Sequence, residues 1–254
     1  MTQFSANLGF LWVDRPLPEA IRSAKSAGFH AVECHWPYDT PASEIKAALD
    51  ETGLWMLGLN TRRGNVTAGE NGLSALSGRE EEALEAIAEA VEYAEAVGAQ
   101  AVHVMAGNAN GKKAEETFIR NLHVATRIAQ RRNIDILIEP LNRFDAPEYF
   151  LKDTDQARAI IGKVGAPNLK LMFDCYHVGR TEGDVIARLK DLLPLIGHIQ
   201  FASVPDRGTP DHGEVDYQAV FAEIQALGWK RPLGAEYKPV RDTDSTLGWL
   251  TSAW

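Results

Sequence analysis

Cysteine is scarce in this chain, and no segment of it is built to cross a membrane. Its two cysteines, Cys34 and Cys175, are too few for a disulfide scaffold. With no segment resembling a signal peptide, a soluble protein of the reducing cytoplasm is expected. No apolar run approaches the roughly 20 residues that span a bilayer, so no membrane partner is expected. Basic residues are also in deficit: 26 Lys+Arg stand against 35 Asp+Glu, for a net charge of −9. The positive charges are dispersed rather than massed, which weighs against nucleic acid as a partner and leaves a small-molecule substrate. Several catalytic signatures are missing too. The chain has no Gly-x-Ser-x-Gly elbow, no Walker loop and no His-Glu-x-x-His helix. The segment from Gly107 to Gly111 lacks the three-glycine spacing of a dinucleotide fingerprint. Internal repeats, low-complexity stretches and linker-like breaks in composition are absent, so one domain over residues 1–254 is expected. Whether it assembles as a homo-oligomer is left open.

What is present is ordinary in composition, 45% hydrophobic and 24% charged, and regular in pattern. Strand-like and helix-like segments alternate from end to end. Strands are expected over residues 4–10, 31–36, 55–60, 101–105, 134–139, 169–174, near 198–200 and over 232–237. Helices are expected over 16–27, 41–52, 79–97, 114–132, 154–164, 183–193 and 216–227, several stopped by a glycine. After the last strand there is room only for a short helix. The longest connection, residues 61–78, contains four glycines and reads as a functional lid. Eight strands alternating with nearly eight helices in about 250 residues favour an α/β fold closed into a single (β/α)8 TIM barrel. An open doubly wound sheet is the alternative.

Four strands in the second half end in oxygen-bearing side chains: Glu139, Asp174, Gln200 and Glu236. They follow one another at intervals of 35, 26 and 36 residues. In a closed barrel the C-terminal strand ends share one rim, where active sites form. An all-oxygen set suits a hard divalent cation, magnesium or manganese, better than zinc or copper. A cation would also relieve the repulsion among three crowded carboxylates. Each acid alone could equally be a solvated strand end; the four together point to one site. Two metal-linked glutamates, Glu139 and Glu236, suit proton removal beside a carbonyl and its return to the neighbouring atom, through an enediolate. His177 belongs at the same rim, where it could bind substrate, shuttle a proton or orient a ligand. Glu33, His35, Asn60, His103 and Asn142 also fall near it, as substrate contacts or as structural residues. Arg62, Arg63 and Arg207 could meet a substrate carboxylate or phosphate. His212 shares the Arg207 loop. The run Glu80 to Glu82 reads as a solvated helix face.

The segments Ile138 to Asn142, Phe173 to His177, His198 to Gln200, Gly213 to Tyr217 and Gly234 to Pro239 together resemble the hydroxypyruvate isomerase family. That family, of the xylose isomerase-like barrels, includes the 2-oxo-tetronate isomerases. Trp36 to Asp39 and Asn60 with Gly64 to Gly72 support the resemblance, which covers nearly the whole chain in order. It implies metal ligation by Glu139, Asp174, Gln200 and Glu236, with the two glutamates doubling as acid and base. His177 matches the family's histidine after the aspartate ligand. Gln200 separates the chain from related ketose 3-epimerases, which usually place histidine at that strand. Two departures concern the substrate more than the chemistry. Val178-Gly179 follows His177 where the family often has a glutamine, and Thr61-Arg62-Arg63 is more basic than the usual loop. The activity implied is isomerisation of hydroxypyruvate or a 2-oxo-tetronate. The alternatives are epimerisation of a free ketose and, further off, an endonuclease IV-like hydrolysis, which would call for more histidines.

Overall fold

The expected barrel is the observed fold. A computed structural model describes residues 2–251; residues 1 and 252–254 of the expected domain lie outside them. The strands are β1 (Phe4–Asn7), β2 (Ala31–Glu33), β3 (Trp55–Met56), β4 (Gly58–Asn60), β5 (Ala101–His103), β6 (Asp135–Ile138), β7 (Leu169–Asp174), β8 (Ile196–Phe201) and β9 (Leu233–Ala235). They form one parallel sheet in the order β3-β2-β1-β9-β8-β7-β6-β5-β4. Nine strands replace the eight expected because the third is interrupted at Leu57. The break does not open the ring. Leu57 N–H donates to Val32 O at 2.8 Å, Cys34 N–H to Gly58 O at 3.1 Å and Asn60 N–H to His35 O at 2.8 Å, carrying the sheet from β2 round to β4.

The helices are α1 (Leu17–Ala27), α2 (Ala42–Thr52), α3 (Glu80–Val97), α4 (Gly111–Gln130), α5 (Thr154–Val164), α6 (Cys175–Thr181), α7 (Val185–Leu192) and α8 (Tyr217–Ala226). Most lie where the apolar periodicity placed them, within a few residues at each end. Asp153 caps α5, accepting from Gln156 N–H at 2.8 Å, a contact worth about 1 kcal/mol. The sequence pattern did not show α6, a seven-residue turn of helix begun by Asp174 itself, whose Oδ1 accepts from Tyr176 N–H at 2.9 Å. After β9 the eighth helix is reduced to 3-10 turns over Asp244–Thr251. From there Trp249 packs edge-on against Phe4 and Phe201, with ring centroids at 5.2 and 5.5 Å.

Strand alternation divides the core in two. Outward residues such as Val32, Val102, Ile136, Ile138, Phe173, Ile199 and Ala235 join the apolar stripes of the surrounding helices in one continuous core. Each large aliphatic side chain buried there contributes roughly 1.5–3 kcal/mol. Inside the ring, Ala101, Leu137 and Met172 form a small separate apolar floor. Above that floor the inward positions turn polar, and the site begins. No described helix is long and apolar enough to cross a membrane. Cys34 and Cys175 are both buried and unpaired with each other, as expected.

Candidate active site

The period of two that sends Phe173 and Ile199 outward sends Asp174 and Gln200 inward, and these two are register partners on adjacent strands. The same alternation turns His103, Glu139 and Glu236 into the barrel mouth. His103, Glu139, His177 and Glu236 line a cleft of about 200 Å³ together with Asn60, His35, Trp36, Phe10, Asp145 and Arg207. All four strand-end residues are at least nine-tenths buried.

Their surroundings differ sharply. The Glu236 carboxylate is fully engaged: Oε1 accepts from Asn7 Nδ2 at 2.8 Å and lies 3.1 Å from His35 Nε2, while Oε2 pairs with Arg207 Nη2. Burial alone would raise this carboxyl; Arg207 and His35 outweigh it and hold the group well below the ordinary range. Arg207 is set for this contact. Its backbone is left-handed, φ 57°, and its guanidinium lies over the rings of Phe10 and Tyr176 at 4.8 and 4.9 Å.

Glu139 has no such clamp. Its Oε1 is buried without a hydrogen-bond partner, and two histidines stand nearby, His103 Nδ1 at 3.6 Å and His177 Nε2 at 3.8 Å from its carboxyl oxygens. Burial, followed by repulsion from Glu236 and Asp174, pushes its carboxyl well up. Asp174 is pushed up to about 8, by burial first and Glu236 second; its Oδ2 also lacks a hydrogen bond. Burial drives His103 down to about 4 and His177 down to about 3, so both are neutral. Ligand atoms of Glu139, Asp174 and His177 all lie within 4.8 Å of one another, close enough to hold one metal ion.

The donor set fits a divalent cation. Glu139 Oε1, Asp174 Oδ2 and Gln200 Oε1 are buried oxygens without partners, the kind of orphaned group that folded proteins rarely tolerate. Hard oxygen donors in one acidic cluster are what such an ion takes.

The structure also separates residues that the sequence grouped. Asn60, His103, His177 and Arg207 line the cleft. Arg62 does not. It forms a two-pronged ion pair with Glu89 of α3, at 2.6 and 3.0 Å, lies over Tyr38 at 4.5 Å, and is nearly half exposed. A carboxylate on the next helix thus fills the fork that was expected to meet a substrate anion. Arg63 lies over Trp36, a wall of the cleft, at 3.8 Å. His212 sits on the surface between Asp206 and Asp211. The 61–78 connection is tied down rather than loose: Gly72 bridges Ala106, Asn108 Nδ2 reaches Gly69 O at 3.0 Å, and Asn71 joins the cleft lining. Gly72, at φ 116°, leaves no room for a side chain, since a Cβ would stand 2.7 Å from Met105 O.

Asn7 escaped the sequence reading, although β1 carried the signal, with Ser5 and Asn7 alternating with buried Phe4 and Ala6. Also missed was the chain from Tyr176 through Asp145 and Asn142 to His177. Tyr176 Oη donates to Asp145 Oδ2 at 2.7 Å, Asn142 Nδ2 to the same oxygen at 2.9 Å, and Asn142 N–H to His177 Nδ1 at 2.9 Å.

Known proteins fall in line with this geometry. A family profile of the xylose isomerase-like TIM barrel matches residues 21–253. A 2-oxo-tetronate isomerase of Cupriavidus necator is 41% identical, with 98% of each chain covered. A hydroxypyruvate isomerase of Escherichia coli is 35% identical, again with 98% of each chain covered. Among solved structures, that of a Brucella melitensis protein named AP endonuclease, family 2, is 36% identical and superposes with a TM-score of 0.95 over 98% of both chains. The chain therefore belongs to the hydroxypyruvate isomerase family, with the 2-oxo-tetronate isomerases, of the xylose isomerase-like TIM barrels, and is an enzyme of the intramolecular oxidoreductase type.

Proposed function

We propose that this enzyme isomerises a small hydroxy-carbonyl acid, hydroxypyruvate or a 2-oxo-tetronate, by proton transfer between neighbouring carbons through an enediolate. The observation that carries the reading is the pair of buried glutamates on one cleft, Glu236 clamped by Asn7, His35 and Arg207, and Glu139 with a free oxygen. They stand three strands apart round the ring and line one cleft. Glu236, held ionised, takes the proton from the hydroxyl-bearing carbon; the hydroxyl proton passes by way of solvent to the former carbonyl oxygen, and Glu139, entering protonated, gives its proton to the former carbonyl carbon. The two carboxyls then re-equilibrate through solvent. Glu139, Asp174, Gln200 and Glu236 would hold magnesium or manganese. Such an ion, when bound, supplies charge stabilisation for the developing oxyanions.

His177 serves the substrate rather than the metal in this reading. A backbone N–H can only donate, so His177 Nδ1, receiving Asn142 N–H, is unprotonated and the neutral ring carries its hydrogen on Nε2. That hydrogen is directed toward Glu139 and Asp174, where a substrate oxygen would sit. Gln200 Oε1 then takes the fourth ligand position.

The name of the Brucella melitensis protein favours a second reading, an endonuclease. The charge of −9 opposes it, because binding to a phosphate backbone rests on massed Lys and Arg. One set of assays separates the readings. The manganese-loaded protein is incubated in deuterated water with hydroxypyruvate, 2-oxo-tetronates and neutral ketoses, and separately with an abasic oligonucleotide. Isomer carrying solvent deuterium on carbon supports the proposal. Turnover of a ketose alone would make the enzyme an epimerase, and strand cleavage without isomerisation would overturn the proposal.

A further inference from the structure

One buried carboxylate takes no part in the chemistry above. Glu33 ends β2 inside the barrel, and its Oε2 meets two nitrogens: His198 Nε2 at 2.8 Å and Gln200 Nε2 at 2.9 Å. It reaches them because Gly234 has no side chain; a Cβ there would stand 2.2 Å from Glu33 Oε1 and 2.8 Å from Gln200 Cγ. A buried carboxylate is costly unless it is bonded, so it calls for an explanation.

The explanation lies in what an amide is. Its two ends are alike in shape and opposite in chemistry, one donating and one accepting. A glutamine offered to a cation must present oxygen, and nothing in its own torsions enforces that. An ionised carboxylate only accepts, so the Gln200 nitrogen must face Glu33 and the oxygen must face away. Gln200 Oε1 is in fact buried and without a partner, on a strand whose register places it beside Asp174.

We infer that Glu33 is a positioning residue that locks the Gln200 amide with its oxygen toward Glu139 and Asp174, while His198 pins the carboxylate. The inference rests on Gln200 being a metal ligand. In this assignment Glu33 acts through Gln200, with Oε2 on the amide nitrogen; its Oε1 is buried without a hydrogen-bond partner. Substituting such a supporting group typically lowers metal affinity about 10–100-fold.

The test is a double-mutant cycle read by calorimetric titration of metal-free protein with Mn²⁺, on wild type, Glu33→Gln, Gln200→Ala and the double variant, with circular dichroism to confirm folding. Glu33→Gln is expected to weaken Mn²⁺ binding about 10–100-fold, and to cause no further loss once Gln200 is alanine. An unchanged Kd in Gln200→Ala would remove Gln200 from the ligand set and overturn the inference with it. If Gln200→Ala weakens binding but Glu33→Gln does not, or if the two losses add in full, the ligand assignment stands and only the positioning role falls. Glu33→Asp, which keeps the charge but withdraws it by one methylene, replaces Glu33→Gln should that variant not fold. If neither folds, Glu33 is a structural residue and the inference is overturned.

Discussion

Glu139 and Glu236 occupy the same rim at nearly equal burial, 6% and 5% exposed, yet their environments oppose each other. Glu236 is surrounded by donors on three sides, one of them a permanent cation. Glu139 faces an unpartnered gap, two neutral histidines and other carboxyls. Burial raises both carboxyls alike, so their neighbours set the difference between them. On one side the protein has completed the pairing by itself. On the other it has left pairing for something that binds. In the proposed scheme the open oxygens of Glu139 and Asp174 are those left for a cation, and Glu236 is the base held ionised beside Arg207.

The largest effect expected is on the unfinished side. Exhaustive chelation should abolish turnover, and Mn²⁺ or Mg²⁺ should restore it; full activity after chelation would end the metal assignment. Next come the two glutamates. Glu139→Gln and Glu236→Gln should each lower kcat by about 10² to 10⁴ with metal still bound, and near-normal turnover in both would overturn the proton-transfer scheme. The same variants should part company in stability. Glu236→Gln leaves Arg207 buried without its carboxylate, and should destabilise the metal-free protein by on the order of 3 kcal/mol in chemical denaturation. Glu139→Gln removes a carboxyl that repels its neighbours and should be neutral or stabilising without metal. Equal losses would erase the contrast.

A smaller effect concerns pH. In the metal-free fold Asp174 is raised to about 8 and Glu139 is raised as well, so both keep protons that the unfolded chain releases near pH 4. Where the folded state binds more protons, stability falls as pH rises, here from about pH 4 to 8. His177 and His103, pushed down to about 3 and 4, act in the opposite sense, but only below the pH of about 6.5 at which the unfolded histidines lose their protons. Between about pH 6.5 and 8 the carboxyls act unopposed. The melting temperature of metal-free protein should therefore drop across that interval, and Mn²⁺ should stabilise more at pH 8 than at pH 6.5. A melting temperature that rose across the interval would contradict the assigned environments.

The smallest effect separates two adjacent arginines. Arg62→Ala should leave KM for the acid substrate within about twofold, since exposed ion pairs such as that with Glu89 contribute little. Arg63→Ala should raise KM for the acid more than for a neutral ketose if its guanidinium on Trp36 receives the substrate carboxylate. An equal change on both substrates would leave the anion contact elsewhere on the rim.

Much of the site was legible because the barrel gives it a simple code. A strand that ends in a polar residue puts that residue at the rim, and period-two alternation decides whether it faces inward. Glu139, Asp174, Gln200 and Glu236 could be found that way. Asn7 obeyed the same alternation, but the strand expected over residues 4–10 ends at Asn7, so its rim position was sought three residues too far along. The short α6 was hidden because Asp174 serves both as rim residue and as its cap. Arg62 shows the reverse case. It follows a strand end directly, but a long side chain goes where its partner is, and Glu89 is 27 residues further along the chain.

The sequence by itself determined the class of fold and the chemical character of the rim, because both follow from local periodicity and from residue types at strand ends. Only the tertiary structure decided which partners each polar atom finds. The bonds from Asn7 to Glu236 and from Glu33 to Gln200 span 229 and 167 residues. Such pairs form when ring closure brings distant strands side by side, and no local pattern in the chain records them.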